Sequence, residues 1–240
     1  MPVVEVHNLR KEFGKTVAIE DLSLSVNKGE VFGLLGPNGA GKTTAMHCML
    51  GILSANGGTI RVLGASPRDN EVYNRINFSS AYIQLPHNLK VITNLKIYAD
   101  LYGVKNAEQK IDELLGLFQV SHLKNKVNGS LSSGEQTRIN LCKSLMNAPE
   151  VLFLDEPTAS LDPDIAERVQ ITLKQIQKEK QLTIIYTSHN MAEVERLCDR
   201  IAFVHHGKKV IEGTTKQVRS HFKKKSLEKI FIELARSEKR

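Results

Sequence analysis

The chain has no tryptophan, and aromatic residues make up only 5% of it. More telling is the lack of long apolar runs. No stretch approaches the roughly 18 consecutive apolar residues of a membrane span, so any membrane role needs a partner. The start, Met1-Pro2-Val3-Val4-Glu5-Val6-His7, has no apolar core of a secretory signal, and a cytoplasmic location is expected. Cysteines are few: Cys48, Cys142 and Cys198 stand far apart, and no pair has metal-ligand spacing. Their odd number argues against a secreted disulfide framework. Each lies in a segment that reads as helical, as expected of reduced, partly buried thiols. No internal repeat or low-complexity linker is present.

The 240 residues, 41% of them hydrophobic, suffice for one large α/β domain that needs no covalent staples. The net charge of +7 is concentrated at one end: residues 205–240 hold 11 Lys or Arg against 4 Glu, which leaves the rest of the chain balanced. Such an end reads as a solvated tail or as a contact for anionic lipid or nucleic acid.

Val3–Asn8, Thr16–Val26, Glu30–Leu35 and Thr59–Leu63 read as strands, and helical periodicity runs from Thr43 to Leu53. Residues 66–130 are polar and expected to be mostly helical, with apolar spacing over Leu95–Tyr102 and Ile111–Phe118. A further helix follows Gly134 and stops near Asn147, before Pro149. Val151–Leu154 and Thr183–Thr187 are short apolar runs flanked by helices, the mark of a buried parallel sheet. Ile201–Val204 and Val210–Glu212 form a late hairpin bent at His206-Gly207, and Ser226–Ala235 is an amphipathic helix.

Gly36-Pro37-Asn38-Gly39-Ala40-Gly41-Lys42-Thr43, followed by Thr44, matches the phosphate-binding pattern G-x-x-x-x-G-K-[ST] between an apolar strand and a helix. Small residues let backbone N–H groups wrap a polyanion at a helix N-terminus. Lys42 brings a point charge to the outer phosphates, and Thr43 a hydroxyl to Mg²⁺. Alone, this loop leaves kinases, GTPases and motor ATPases open. Asp155, ending the apolar run Val151–Leu154, suits the Mg²⁺ hydration shell. Glu156, one residue on, can polarise a water for in-line attack, which favours hydrolysis over transfer to a substrate. Acids at this place are also ordinary helix N-caps.

The residues now resemble one family. Leu131-Ser132-Ser133-Gly134-Glu135, followed by Arg138, is similar to the signature motif of ABC ATPases, L-S-G-G-Q. Asp155-Glu156-Pro157-Thr158 and Ser160-Leu161-Asp162 resemble the family's Walker B and D-loop, and Ser188-His189 its switch histidine. Val194–Ile201 and Gly207–Thr214 are similar to the segments that close its domain. The resemblance runs from about residue 3 to about residue 235. It implies one ABC ATPase domain over 1–240: a P-loop NTPase α/β core with a mainly parallel sheet, an N-terminal antiparallel β subdomain, an inserted helical subdomain near 66–130 and a basic hairpin and helix at 205–240.

It also implies roles. Phe13, otherwise an apolar loop residue, would stack on the adenine of ATP. Gln84 would sense Mg²⁺ and the attacking water, and His189 would touch the γ-phosphate from the same subunit. Ser132, Ser133, Gly134 and Glu135, with Asp162, would meet the nucleotide of the opposite subunit in a head-to-tail homodimer, or in a dimer with a related ATPase subunit. His7, His47, His87, His122, His205, His206 and His221 have no such frame. Two departures stand in the signature: Ser133 replaces a Gly, and Glu135 puts a negative charge near the partner's nucleotide where Gln is usual. The segment Ala81–His87 that carries Gln84 is shorter than the family's. Asn77–Val104 and Leu227–Leu234 look like the exporter branch that pairs with separate transmembrane permease subunits, which would hold the chain on the cytoplasmic face of the cell membrane. No nucleic acid is then expected. The rival is a soluble ABC ATPase acting on nucleic acid or the ribosome through its basic tail.

Overall fold

The structure, a computed structural model, describes residues 1–80, 84–223 and 226–236, and of 234–236 only the backbone. Strands β1 (Pro2–Phe13) and β2 (Thr16–Asn27) form an antiparallel hairpin, and β4 (Gly57–Val62) pairs antiparallel on the free side of β1. β3 (Val31–Leu35), β6 (Val151–Asp155) and β7 (Thr183–Thr187) are buried throughout. They run parallel to one another, with β8 (Arg200–His205) beside β3 and β5 (Ile76–Ser80) beside β6. β9 (Lys208–Gly213) returns antiparallel to β8, and a single parallel bridge, Asp21 to Lys208, joins the hairpin to the main sheet. The sheet therefore reads β4-β1-β2-β9-β8-β3-β7-β6-β5.

Helices cover both faces. α1 (Lys42–Met49) follows β3, and α2 (Asn70–Tyr73) precedes β5. α3 (Val91–Leu101) and α4 (Ala107–Leu117) pack beside α5 (Ser133–Ser144). α6 (Pro163–Lys180) and α7 (Met191–Leu197) flank β7, and α8 (Thr215–His221) and α9 (Leu227–Arg236) close the chain. The core splits about the sheet: Val4, Leu22, Phe32, Met46 and Phe153 pack with α1, and Leu35, Leu95, Leu141, Leu154 and Tyr186 pack with α3, α5 and α7.

Four expectations need correction. β1 runs five residues beyond Asn8, because register shifts after Val6 and the positive φ of Asn8 (48°) break the alternation without ending the pairing. α1 stops at Met49 instead of Leu53, where Gly51 turns at φ +74°. The 66–130 stretch is not helical throughout. It contributes β5, whose Asn77, Ser79 and Ser80 disguise a buried strand, and Asn77 is satisfied by the Asn147 side chain at 2.8 Å. The described part of the basic end is no free tail either: Leu227 and Ile230 of α9 are buried, and the Phe231 ring lies 6.0 Å from that of Phe203. All three cysteines are free and buried, as expected.

Candidate active site

The carboxyl ends of β3 and β6 converge on one cleft of about 510 Å³, lined by Phe13, Val17, Asn38, Gly39, Gly41, Lys42, Thr43, Thr44, Asp155 and Glu156. This is where ligands bind in α/β sheets, and the volume suits a small-molecule site of roughly 300–1,000 Å³. A second cavity, of about 390 Å³, lies at the opposite strand ends beside Pro149 and Leu182, and no P-loop residue reaches it.

The loop's glycines are required by geometry. Gly41 adopts φ +99°, and a Cβ there would lie 2.6 Å from the Ala18 carbonyl oxygen. At Gly36 a Cβ would meet the Val204 carbonyl oxygen at 2.1 Å. Side chains at either place would push the loop off the sheet. The Ala40 carbonyl accepts from Gly207 N–H at 3.1 Å, so the tip of the β8–β9 hairpin braces the loop from behind. Pro37 lies within the loop, where its carbonyl accepts from Ala40 N–H at 3.2 Å.

Lys42 is buried, and its ammonium donates to the Gly36 carbonyl at 2.8 Å and the Pro37 carbonyl at 3.0 Å. Burial pushes its pKa down, against the opposing pull of Glu156 and Asp155. Thr43 Oγ1 donates to Asp155 Oδ2 at 2.9 Å, and Thr187 Oγ1 to Asp155 Oδ1 at 2.5 Å. Asp155 is thus fixed between α1 and β7. Glu156 turns out of the strand at φ +51°, a conformation that costs a non-Gly residue on the order of 1 kcal/mol or more. Its N–H is held by Thr187, at 3.0 Å to Oγ1 and 3.2 Å to the carbonyl. The turn sends Glu156 away from Asp155 and toward His189, whose Nδ1 lies 3.3 Å from Glu156 Oε2.

Phe13 sits at the β1–β2 hairpin tip on the lip of this cleft, 48% exposed, with the Lys11 ammonium 4.9 Å from its ring centre. Gln84 does not line the cleft: its side chain is exposed and accepts from His87 at 2.6 Å. Ala81, Tyr82 and Ile83, which lead into it, lie outside the described residues. Ser132, Ser133, Gly134 and Glu135 are not in the cleft either. Ser132 caps α5 in a reciprocal box: its Oγ accepts from Glu135 N–H at 3.3 Å, and the Glu135 carboxylate accepts from Ser132 N–H at 2.8 Å. The Ser132 N–H bond holds the Glu135 carboxyl below its ordinary range. The charge expected to face outward is therefore folded back on its own helix. Ser133 takes ordinary helical backbone, so Gly is not needed there. Asp162 is exposed at the N-cap of α6. Its loop shares a surface with the signature turn: Thr137 Oγ1 meets Ser160 Oγ at 2.8 Å, and Leu161 packs against Gly134.

Thr187, Gly207 and Glu193 are the supporting residues that motif reading missed. Thr187 carried a signal, a hydroxyl ending an apolar strand directly before Ser188-His189. Gly207 and Glu193 carried none without knowledge of which elements pack together.

Among the described residues no helix is long and apolar enough to cross a membrane. Residues 19–159 match the family model described as ABC transporter. The chain is 34% identical over 215 residues to Nod factor export ATP-binding protein I of Cupriavidus pinatubonensis, covering 88% of this chain and 66% of that protein. It is 36% identical over 219 residues to the linearmycin resistance ATP-binding protein LnrL of Bacillus subtilis, covering 88% and 69%. Among solved structures, cbiO1 of Clostridium perfringens, part of the ABC transporter complex cbiONQ, superposes with a TM-score of 0.80 at 27% identity over 92% of each chain. By these matches the chain belongs to the ABC transporter family, as one of its nucleotide-binding ATPase subunits.

Proposed function

We propose that two copies of this chain, or one copy and a related subunit, close head to tail over two ATP molecules and hydrolyse them to drive a separate permease at the cytoplasmic face of the cell membrane. The observation that carries this reading is the convergence of Lys42, Thr43, Asp155 and Glu156 on one cleft, with His189 3.3 Å from Glu156. Phosphates enter the turn from Gly36 to Thr44, wrapped by its N–H groups and the start of α1. Lys42 exchanges its carbonyl partners for the outer phosphates. The Thr43 hydroxyl and Asp155 carboxylate are the hard oxygen donors that suit Mg²⁺. Bound there, the ion would neutralise phosphate charge. Glu156 accepts the proton of the attacking water, and His189 steadies the γ-phosphate beside it. Gln84 joins this group if it releases His87 and turns to the cleft.

Ser132 and Gly134 serve the other subunit's ATP. The exposure of Ser132, the position of both outside their own cleft and their continuity with Asp162 support this. Adenine stacks on Phe13. For the permease, α3 presents Ile97 and Leu101 one turn apart, 43% and 72% exposed, an apolar face suited to a protein partner. The likeness to a Nod factor export ATP-binding protein favours this reading over a role on nucleic acid or the ribosome.

Hydrolysis by the purified chain should require Mg²⁺. Glu156→Gln keeps size and hydrogen bonding but removes the base, so turnover should fall by about 10²–10⁴-fold while ATP binding survives. Wild-type turnover in that variant would place the base elsewhere. Leu101→Asp should reduce co-fractionation with membranes that contain the permease and leave hydrolysis intact.

A further inference from the structure

Glu193 lies on α7, outside every motif named above, and is 5% exposed. Its Oε2 accepts from three hydroxyls: Thr158 Oγ1 at 2.7 Å, Tyr186 OH at 3.0 Å and Ser188 Oγ at 3.1 Å. Its Oε1 accepts from Asn190 Nδ2 at 3.3 Å. A buried carboxylate is costly unless donors meet it. Those meeting this one are neutral groups drawn from separate parts of the chain. Thr158 stands two residues after Glu156. Ser188 directly precedes His189, Tyr186 belongs to β7, and Asn190 caps α7 while bonding the N–H groups of Ala192 and Glu193. Burial, and then the Glu193 charge, hold the Tyr186 phenol protonated well above its ordinary range, so it stays a donor.

We propose that Glu193 is a positioning residue for hydrolysis, which clamps the Glu156 loop to the His189 turn. This rests on the reading that Glu156 and His189 carry the reaction. Glu156 leaves its strand in a strained conformation, and His189 is 63% exposed and sits on a turn. Their 3.3 Å approach joins two loops that follow different strands. The Glu193 carboxylate lies beneath both and fixes one relative to the other through Thr158 and Ser188. A displacement of about 1 Å at a reacting group can cost on the order of 10²-fold in rate, so a group that never touches ATP can still set turnover.

The test uses the full-length chain, with ATP binding and turnover measured separately. Glu193→Ala should lower kcat by on the order of 10²-fold and leave KM for ATP unchanged, since the P-loop makes no contact with it. Glu193→Gln can still present one oxygen to the three hydroxyls and should restore turnover close to wild type. In the Glu193→Ala, His189→Ala double variant the two losses should not multiply, because the first acts through the second. Wild-type turnover in Glu193→Ala, multiplying losses in the double variant, or equal losses in the Gln and Ala variants would each overturn the proposal. The Glu156→Gln variant separates this from a failure of the reading beneath it. If that variant is impaired while Glu193→Ala is not, only the role of Glu193 falls. If Glu156→Gln hydrolyses normally, the catalytic reading falls first. Should Glu193→Ala fail to fold, Ser188→Ala and Thr158→Val each remove one arm of the clamp and should show a smaller loss of kcat at unchanged KM.

Discussion

At the P-loop, one chain supplies everything its cleft needs: glycines that let backbone approach, a buried ammonium, and a carboxylate pinned from two sides by Thr43 and Thr187. At the signature turn the same chain builds the start of a helix, leaves it exposed, and satisfies it with its own Ser132–Glu135 box. Both are helix N-termini with the positive end that anions favour. One is walled by a sheet and opens onto a cleft. The other faces outward, with its Ser132 and Glu135 N–H groups bonded within the box. In the proposed head-to-tail dimer the first is a finished half-site, and the second would acquire a purpose when another molecule's phosphate competes for Ser132.

The largest effect is expected from removing the P-loop cation. Lys42→Ala should cost about 2–5 kcal/mol of ATP binding, the range for truncating one partner of a buried charge pair, and should abolish hydrolysis. Equilibrium nucleotide binding checks this, and near-native affinity would mean that the cleft is not the phosphate site. A smaller loss is expected at the lip. Phe13→Ala should remove stacking worth about 1–3 kcal/mol, by analogy with base–aromatic stacking, with kcat little changed. Unchanged affinity would show that Phe13 is not the platform. Smallest is the effect at the signature turn. The Glu135 carboxyl is held below its ordinary range in the folded chain. Its contribution is therefore present above the unfolded value of about 4.3 and is lost as pH falls through the folded value. Glu135→Gln keeps the box and loses the charge, so it should cost less than about 1 kcal/mol. Melting curves should show wild type above the variant near pH 7, with the gap closing below about pH 4.

The two regions also differ in what could be read from the sequence. The P-loop was legible because its chemistry demands fixed residue types at fixed spacing, and the apolar runs around it have only one use in a parallel sheet. The late hairpin and the β6 and β7 strands were legible for the same reason. β5 was not, because Asn77, Ser79 and Ser80 make a buried strand look polar, and only the packed partner Asn147 explains how that is tolerated. The full length of β1 was hidden by irregular pairing. At the signature, Glu135 stood out as a departure, but its consequence could not be read, since a carboxylate facing a partner and one folded back onto Ser132 have the same sequence. Glu193 was invisible for a related reason. Its donors lie up to 35 residues away along the chain and meet only in the fold.

If, as proposed, one chain carries two halves of different sites, the oligomeric state of Glu156→Gln, which should bind ATP without hydrolysing it, will follow its nucleotide, and size-exclusion chromatography with light scattering reads this. With saturating ATP the variant should elute as a dimer and, without nucleotide, as a monomer, and adding Lys42→Ala to it should abolish the ATP-dependent shift. A Glu156→Gln chain that stays monomeric at high protein concentration with ATP demonstrably bound would show that the two half-sites do not meet across a dimer.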